Sequence, residues 1–252
     1  MLQKETVETG TLVLIERLSE DKNLSDFYLV GGTALSLQVG HRKSIDVDLF
    51  SQNAFDSSTL AKHLSENYKA EEIKVVKNGV FCSIEGVKVD ILTHQYAWLN
   101  PPVVEYPVRM ASLDDIAAMK LHAIVQNGTR HKDFIDIYVL LEHRTLQQMT
   151  TAFEQKYKAM NAAVAKNALL YHRDIKNFTG IDFLNRPVHH WYHIVDRLED
   201  AVYNPGKTYS KDLDWGLTDN ISDILEEQRE RYYKRIQNNR GVEFGYGYGY
   251  AR

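Results

Sequence analysis

The segment Tyr28–Phe50, YLVGGTALSLQVGHRKSIDVDLF, constrains the fold of this chain more than any other stretch. A short apolar run is predicted to form a strand that ends at the pair Gly31-Gly32. Thr33–Val39 is predicted as a short helix and Ser44–Phe50 as the next strand. A strand, a glycine turn, a helix and a second strand in immediate succession predict an α/β unit.

The rest of the chain changes character near residue 110. Before that point the pattern predicts helices over 5–20 and 59–67, and strands over 73–77, 80–85 and 87–93. Asn78-Gly79 is typical of a hairpin turn, and three prolines between 101 and 107 indicate an irregular connection. Beyond residue 110 the pattern predicts helices over 113–126, 133–142, 146–173, 188–203 and 221–236. We therefore expect an α/β core over 1–110 and a helical region over 111–252, with a flexible tail at about 240–252.

Composition and charge exclude several classes of protein. The formal net charge is −4, so any contact with nucleic acid requires a local basic patch. Cys82 is the only cysteine, which excludes an internal disulfide and a cysteine-based zinc site, and we expect a buried, inert thiol. The first residues lack the apolar core of a signal peptide, and no stretch is long and apolar enough to span a membrane. We expect a cytoplasmic protein with no membrane contact.

Three aspartates in strand-like sequence suit metal-dependent chemistry. Asp46 and Asp48 lie two residues apart, and alternate residues of a strand project from the same face. Two close carboxylates favour a cation between them, and Mg²⁺ commonly binds one or two carboxylates together with substrate phosphates. Asp90, in VKVDIL, would add a third acid if its strand lay beside theirs. Such a set fits two-metal phosphoryl or nucleotidyl transfer.

Each acid also has a plain structural explanation. Alone, the spacing of Asp46 and Asp48 is a weak signal and is better explained by a solvated strand face that includes Ser44. For Asp90 the alternative is an edge strand that points Lys88 and Asp90 to water.

The glycine pair shifts the balance toward a ligand site. Gly31-Gly32 would let backbone N–H groups approach an anion, at the point where the Thr33 helix begins. A helix N-terminus offers free donors and a positive dipole end to phosphate. A plain strand-to-helix turn is the alternative for the pair alone.

A polar group after residue 119 could complete such a site. Lys120 borders the apolar stripe of its helix and could reach a triphosphate, or it could be an ordinary surface lysine. Asp133 and Asp136 share a helix face in the cluster RHKDFID. Asp133 could simply be a favourable charge at a helix start. Asp136 is flanked by apolar residues, so its burial would need a partner, either Lys120 or Arg130.

Other polar stretches carry weaker signals. His189 and His193 are spaced as i, i+4 and could bind a metal, but packing beside Trp191 is the favoured interpretation. The mixed charges over 226–235 are typical of a solvated helix face. The Tyr/Gly-rich end of the chain is typical of a disordered tail.

In order and spacing, these motifs resemble the AbiEii/AbiGii-type nucleotidyltransferases, the toxins of abortive-infection and toxin–antitoxin systems. GGTALSLQVGHRKSIDVDLF is similar to their first motif and VKVDIL to their second. DDIAAMKLHAI and RHKDFIDIYVLL resemble the third and fourth. Thr33 stands where many polymerase-β-type enzymes have serine, and this variant is usual in the toxin branch. The resemblance covers residues 28–141.

The resemblance implies a polymerase-β-like nucleotidyltransferase core with a mixed β-sheet, followed by helices. By the same resemblance, the metal ligands would be Asp46, Asp48 and Asp90, for Mg²⁺ or Mn²⁺. The catalytic residues would be those three with Lys120 and Asp136. The residues that bind the nucleoside triphosphate (NTP) would be Gly31, Gly32, Thr33, Arg42, Lys120 and Asp133.

The implied activity moves a nucleoside monophosphate from an NTP to an acceptor, which by resemblance is expected to be RNA, at a tRNA 3′ end. The protein would then act as a toxin restrained by a cognate antitoxin. The alternatives are a small-molecule or protein acceptor, a nucleotide-binding module without turnover, and an interaction surface over 146–252. A basic strip near Arg130, Lys132, Arg173 and Lys176 would favour RNA, and an enclosed pocket would favour a small acceptor.

Overall fold

A computed structural model of the chain describes residues 1–172, 175, 181–184, 191–210, 230 and 234. Seven strands form one sheet in the order β3-β4-β5-β2-β1-β7-β6. Their bounds are β1 Tyr28–Leu29, β2 Val47–Ser51, β3 Glu71–Val76, β4 Gly79–Ile84, β5 Val87–Thr93, β6 Val103–Glu105 and β7 Val108–Met110.

The sheet is mixed, as expected. β2 runs parallel to β5, and β1 runs parallel to β7. The other neighbouring pairs are antiparallel, including the predicted hairpin of β3 and β4. In the β2–β5 pair Asp48 lies directly opposite Asp90. Because β5 is flanked by β4 and β2, the edge-strand alternative for Asp90 is excluded.

The helices that the structure describes are α1 Thr9–Glu20, α2 Gly31–Val39, α3 Ser57–Tyr68, α4 Leu113–Gln126, α5 His131–Leu140, α6 Leu146–Lys156, α7 Ala162–Leu169 and α8 Trp191–Tyr203. In these described ranges no helix is both long and apolar enough to cross a membrane. The predicted helix over 221–236, apart from residues 230 and 234, and the tail at 240–252 lie outside the described residues.

Several boundaries differ from the sequence prediction. The strand predicted from Ser44 begins at Val47, so Asp46 precedes β2 instead of lying in it. The helix predicted over 146–173 is two helices, because Asn161 accepts a hydrogen bond from the Val164 N–H and starts α7 afresh. The stretch predicted as an irregular connection contains the short hairpin of β6 and β7.

Helix α5 lies in the interior. Every side chain from Asp133 to Leu140 is buried. The helix packs against α2, α4 and α8, and α2 also contacts β2. An interior helix cannot solvate its own acids, so Asp133 and Asp136 must be neutralised by the neighbouring elements.

A buried ion pair joins α4 to α6. Ser112 caps the start of α4 by accepting a hydrogen bond from the Asp115 N–H at 3.1 Å. The Asp115 carboxylate does not complete a capping box; it accepts from the Leu99 N–H and from Lys156 Nζ, at 3.0 and 2.9 Å. Both charged side chains are fully buried.

We expect Lys156→Met to lower the free energy of unfolding by about 3–5 kcal/mol, because it leaves the Asp115 carboxylate buried without its cation. The matched control is Lys158→Met, which alters an exposed lysine two residues away. Urea unfolding of both variants measures the difference. Equal midpoints for the two variants would contradict this account of the pair.

Candidate active site

A cleft of about 440 Å³ opens where the start of α2, the segment before β2, and helices α4 and α5 meet. Most of the predicted site residues line it. The lining side chains and backbone come from Val30, Gly31, Gly32, Thr33, Arg42, Lys43, Ser44, Ile45, Asp46, Asp48, Phe50, Met119, Lys120, Ala123, Arg130, Lys132, Asp133 and Asp182. Asp90 and Asp136 are not among the lining residues, but each contacts or faces one: Asp90 lies opposite Asp48, and Asp136 pairs with Arg42 and Lys120.

Gly31 fits closely against Asp48. Its φ of +70° is in the left-handed region that favours glycine, and a Cβ placed there would be 2.5 Å from Asp48 Oδ2. A side chain at position 31 would therefore displace the carboxylate that the site places in the cleft.

Gly32 makes room for Arg42. A Cβ on Gly32 would lie 2.3 Å from one terminal guanidinium nitrogen of Arg42. That guanidinium is buried and fixed by its own hydrogen bonds, so it cannot move aside freely. The absence of side chains at Gly31 and Gly32 thus allows Asp48 and Arg42 to pack against the start of α2. This role is separate from any binding of an anion by the N–H groups of the pair.

The start of α2 faces the cleft without a side-chain cap. Val30 occupies the N-cap position, and its apolar side chain has no hydrogen-bond acceptor. The first N–H groups of a helix lack intrahelical partners. The Thr33 hydroxyl, by contrast, is engaged: it donates to the Asp46 carbonyl oxygen and lies 2.8 Å from Ser44 Oγ. Thr33 therefore fixes the segment that carries Asp46.

Asp48 and Asp90 lie on the neighbouring strands β2 and β5, and Asp46 directly precedes β2, but the three acids are held differently. Asp46 and Asp48 line the cleft. Asp90, opposite Asp48, pairs with Lys88 at 2.5 Å through one oxygen, while its Oδ1 is buried and has no hydrogen-bond partner among the residues that the structure describes. Burial, followed by the nearby charge of Asp90, raises the pKa of Asp48 to about 6. This corner of the site is rich in negative charge that the protein does not fully neutralise.

A divalent cation fits these acids. It would favour the ionised form of Asp48, whose pKa is raised by burial and then by Asp90, and could approach the unsatisfied oxygen of Asp90. Among the residues that the structure describes, no group of three or more His, Cys, Asp or Glu could hold an ion. Magnesium is commonly bound by one or two carboxylates, with substrate phosphates and water as its other ligands. The arrangement therefore suits a cation that arrives with a phosphate-bearing substrate.

The opposite wall of the cleft depends on the buried carboxylate of Asp136. Arg42 donates to both of its oxygens, from Nε at 2.9 Å and from a terminal nitrogen at 3.1 Å. Lys120 Nζ lies 2.7 Å from Oδ2, and His41 Nε2 lies 2.9 Å from Oδ1. Burial alone would raise the pKa of Asp136, but Arg42, Lys120 and His41 hold it well below its usual range. Asp136 therefore stays ionised, and it positions the cations that face the cleft.

Lys120 joins the two acids of α5. Its Nζ also lies 2.7 Å from Asp133 Oδ1. Although burial would lower the pKa of Lys120, Asp136 and Asp133 raise it, so the ammonium remains charged. The surface-lysine alternative is wrong, because Lys120 is buried and lines the cleft. Arg130 pairs with Asp133 at 3.4 Å and not with Asp136.

A short segment over 181–184 borders the cleft beside the basic turn. The Lys43 N–H donates to the Asp182 carbonyl at 2.8 Å, and the Leu184 N–H donates to the His41 carbonyl at 3.1 Å. Asp182 also lines the cleft and pairs with Lys43 at 3.3 Å. Sequence reasoning missed Asp182 entirely, since no motif surrounds it. It also missed His41, which its place beside Arg42 in the basic turn could have indicated.

Two other predicted features have clear outcomes. Cys82 is buried in β4, and burial together with Asp90 raises the pKa of its thiol to about 11, so it is inert as expected. Of the histidine pair, His193 is buried in α8, whereas His189 lies outside the described residues. Arg173 and Lys176 of the predicted basic strip also lie outside them.

Comparison with known families gives one extended match. The family model described as "Nucleotidyl transferase AbiEii toxin, Type IV TA system" matches residues 13–219. The matched range includes every side chain that lines the cleft.

Individual relatives are more distant. Uncharacterized protein aq_aa25 of Aquifex aeolicus is 29% identical over 158 residues, which cover 60% of this chain and 76% of the relative. The crystal structure of JHP933 from Helicobacter pylori is 19% identical, with a TM-score of 0.47, and covers 91% of this chain and 99% of that one. An antigenic nucleotidyltransferase-like protein from Paracoccidioides brasiliensis is 19% identical, with a TM-score of 0.40, over 66% of this chain and 94% of that one. Family membership rests on the match over residues 13–219 and not on these likenesses.

The raised pKa of Asp48 has a consequence for stability. Since the folded protein keeps this proton up to a pH of about 6, whereas an unfolded aspartate loses it near 3.8, this group's contribution to stability falls as the pH rises between those values. We expect Asp48→Asn, measured in EDTA, to stabilise the protein by about 3 kcal/mol at pH 7.5 and by little at pH 4.

Urea unfolding at the two pH values measures this difference from wild type. The control, Asp26→Asn, changes an exposed aspartate and should alter stability by less than about 0.5 kcal/mol at either pH. An equal effect of Asp48→Asn at pH 4 and pH 7.5 would show that burial and the charge of Asp90 do not disfavour the ionised carboxylate of Asp48.

Proposed function

The chain belongs to the AbiEii nucleotidyl transferase toxin family, and from this premise we propose that it moves a nucleoside monophosphate from an NTP to RNA. Its class as a nucleotidyltransferase follows from the family. The observation that carries the proposal is that one cleft combines an uncapped helix start, two aspartates and a buried, charged lysine.

In this proposal the donor phosphates bind at the Gly31 end of α2. The free N–H groups and the positive dipole end of α2 favour a polyphosphate there. Lys120 adds a fixed positive charge to the same cleft, and Arg42 adds a second. Asp46 and Asp48 would hold Mg²⁺ or Mn²⁺, which would supply positive charge to neutralise the phosphates.

The chemistry is an in-line displacement at the α-phosphorus. A hydroxyl oxygen of the acceptor forms the new bond to phosphorus, the bond between the α-phosphorus and the bridging oxygen breaks, and pyrophosphate leaves with that oxygen. Asp90, opposite Asp48, is the carboxylate proposed to orient the attacking hydroxyl and accept its proton. Lys120 and Arg42 would offset the charge that develops on the leaving group.

The charges at the rim of the cleft favour RNA as the acceptor. Lys43, Arg130 and Lys132 line the cleft with side chains that are largely exposed, although the chain as a whole is acidic. Exposed cations around a phosphate site attract a polyanion. A tRNA 3′ end, which is single-stranded and carries a free hydroxyl, meets both requirements.

The proposal extends to the biology of the family. Its description names a toxin of a type IV toxin–antitoxin system, so we expect growth arrest on expression and a cognate antitoxin that counters it. NTPs and tRNA are cytoplasmic, which places the reaction there. The α/β part over 1–110 would grip the donor, and the helical part over 111–252 would complete the site and select the acceptor.

Incubation of the protein with Mg²⁺, each labelled NTP in turn and total tRNA is expected to transfer label to RNA with release of pyrophosphate. Asp46→Asn should lower the rate at least about a hundredfold, because it removes a carboxylate proposed to bind the metal. The control, Asp26→Asn, should retain the wild-type rate. No transfer by the wild type with any NTP, or equal transfer by Asp46→Asn, would contradict the proposal.

The same assay tests the acceptor. Lys132→Ala is expected to raise the KM for RNA and leave the KM for the NTP unchanged, since its exposed side chain lies at the rim. The matched control is Lys62→Ala, an exposed lysine on α3. If label appears only on a small molecule or on protein while tRNA stays unlabelled, that molecule and not RNA is the acceptor.

A further inference from the structure

A group of ring side chains adjoins the cleft beyond the three acids. We name it the aromatic platform; it consists of Phe50, His94, Tyr96, His122 and Tyr157. The rings of Phe50 and His94 are stacked, with centroids 5.6 Å apart and planes 24° from parallel. Tyr96 lies 4.8 Å from His94 on the other side. His122, from α4, stacks on Tyr157 at 4.0 Å and 10°.

The platform continues the sheet face that carries the acids. Phe50 follows Asp48 by two residues in β2, so their side chains project from the same face, about 7 Å apart along the strand. His94 directly follows β5, which carries Asp90, and its N–H donates to the Ser51 carbonyl at 2.8 Å. Phe50 itself lines the cleft. Phe50 therefore places this group of rings next to the cleft, on the sheet face that carries Asp48.

The platform is anchored by the buried Tyr157 and reaches solvent at Tyr96. Tyr157, which is buried, sets its hydroxyl 3.2 Å from His94 Nε2. The Tyr96 carbonyl accepts a hydrogen bond from Gln52 Nε2 at 3.0 Å, which fixes the loop. Tyr96 itself is 41% exposed. The platform therefore runs from the cleft wall at Phe50 to a solvent-facing ring at Tyr96.

Its rings are uncharged at neutral pH. Burial, together with the charge of Lys156 and the proximity of His122, lowers the pKa of His94 to about 4. Burial also lowers the pKa of His122. A neutral aromatic surface beside a cleft of fixed charges is chemically suited to a planar, uncharged group, and a phosphate would find no cation among these five side chains.

We propose that the aromatic platform is a nucleobase-binding surface, on which either the terminal base of the acceptor RNA or the base of the donor NTP stacks. Stacking of bases on aromatic side chains is tolerant of sequence and common in the recognition of single-stranded RNA. This inference rests on the proposed nucleotidyl transfer and names the part of the same site that receives a base. The open end at Tyr96 is the side from which an RNA strand would enter.

Substitutions at Tyr96 test the platform with little risk to the fold. Tyr96 lies in a loop and is exposed, so Tyr96→Ala should fold normally, and Tyr96→Phe retains the ring. The matched control is Tyr203→Ala, which removes a 75% exposed tyrosine at the end of α8. Thermal melting of all three variants establishes that they are folded.

The acceptor arm measures transfer against tRNA concentration at saturating NTP. If the acceptor base stacks on the platform, Tyr96→Ala raises the KM for tRNA about tenfold, while kcat stays within about twofold of wild type. Tyr96→Phe and Tyr203→Ala keep the wild-type KM.

The donor arm measures equilibrium binding of each NTP with Mg²⁺ and of inorganic triphosphate with Mg²⁺. If the donor base stacks, Tyr96→Ala weakens NTP binding about tenfold and leaves inorganic triphosphate binding unchanged. A weaker interaction in either arm, seen with Tyr96→Ala but not with Tyr96→Phe, supports the proposal. The arm in which it occurs identifies whether the acceptor base or the donor base is bound.

Wild-type behaviour of Tyr96→Ala in both arms would overturn the platform as a base-binding surface and leave the nucleotidyl transfer intact. A loss shared equally by Tyr96→Phe or Tyr203→Ala would also overturn it, because the effect would not depend on the ring. Failure of the wild-type protein to transfer label to any acceptor is a separate result, which would remove the proposed function itself.

Discussion

The ionised carboxylate of Asp136, buried in the middle of α5, is the interaction on which the site depends. A buried charge is tolerated only when well-placed partners satisfy it, and removal of one partner from such a pair typically costs about 3–5 kcal/mol. Asp136 has three partners, which come from the turn after α2 and from α4. By holding Arg42 and Lys120, it joins the α/β part of the chain to the helical part and fixes two positive charges beside the cleft.

The sequence around Gly31-Gly32 makes sense in the light of that network. Because Asp136 fixes Arg42, residue 32 must lack a side chain. Because Asp48 approaches Gly31 on the other side, residue 31 must lack one too. Arg42 and Asp48 therefore both lie against the start of α2. The free N–H groups of α2 lie between the cations held by Asp136 and the aspartates at β2. A motif that favours phosphate binding is also a requirement of internal packing.

Local sequence was sufficient for much of the fold. The bounds of α4 agree with the prediction, since Ser112 is a strong cap and the apolar stripe is regular. The five strands that precede residue 94 were also found, with shifts at their ends. The β6–β7 hairpin was missed because its strands have three residues each and lie among prolines. The break between α6 and α7 was missed because helical periodicity persists across it.

The sequence was sufficient to predict many of the residues that form the candidate site, but not which residues they pair with. Asp46, Asp48 and Lys120 were recognised from their patterns, and the need of Asp136 for a cation followed from its apolar neighbours. The pairing of Arg42 with Asp136 spans 94 residues, and the approach of Asp182 to Lys43 is equally non-local. Such contacts depend on how the elements pack, and no local pattern encodes them. The engagement of the Thr33 hydroxyl with the Asp46 carbonyl was hidden for the same reason.

We propose that this cleft binds the triphosphate of a nucleotide between the start of α2 and the carboxylates of Asp46 and Asp48. A crystal structure with Mg²⁺ and a non-hydrolysable NTP analogue tests it most directly. We expect phosphate oxygens within hydrogen-bond distance of the Gly31 and Gly32 N–H groups and of Lys120, with the metal about 2.0–2.1 Å from carboxylate oxygens of Asp46 and Asp48. A nucleotide bound outside the cleft, or a metal that contacts neither aspartate, would contradict it.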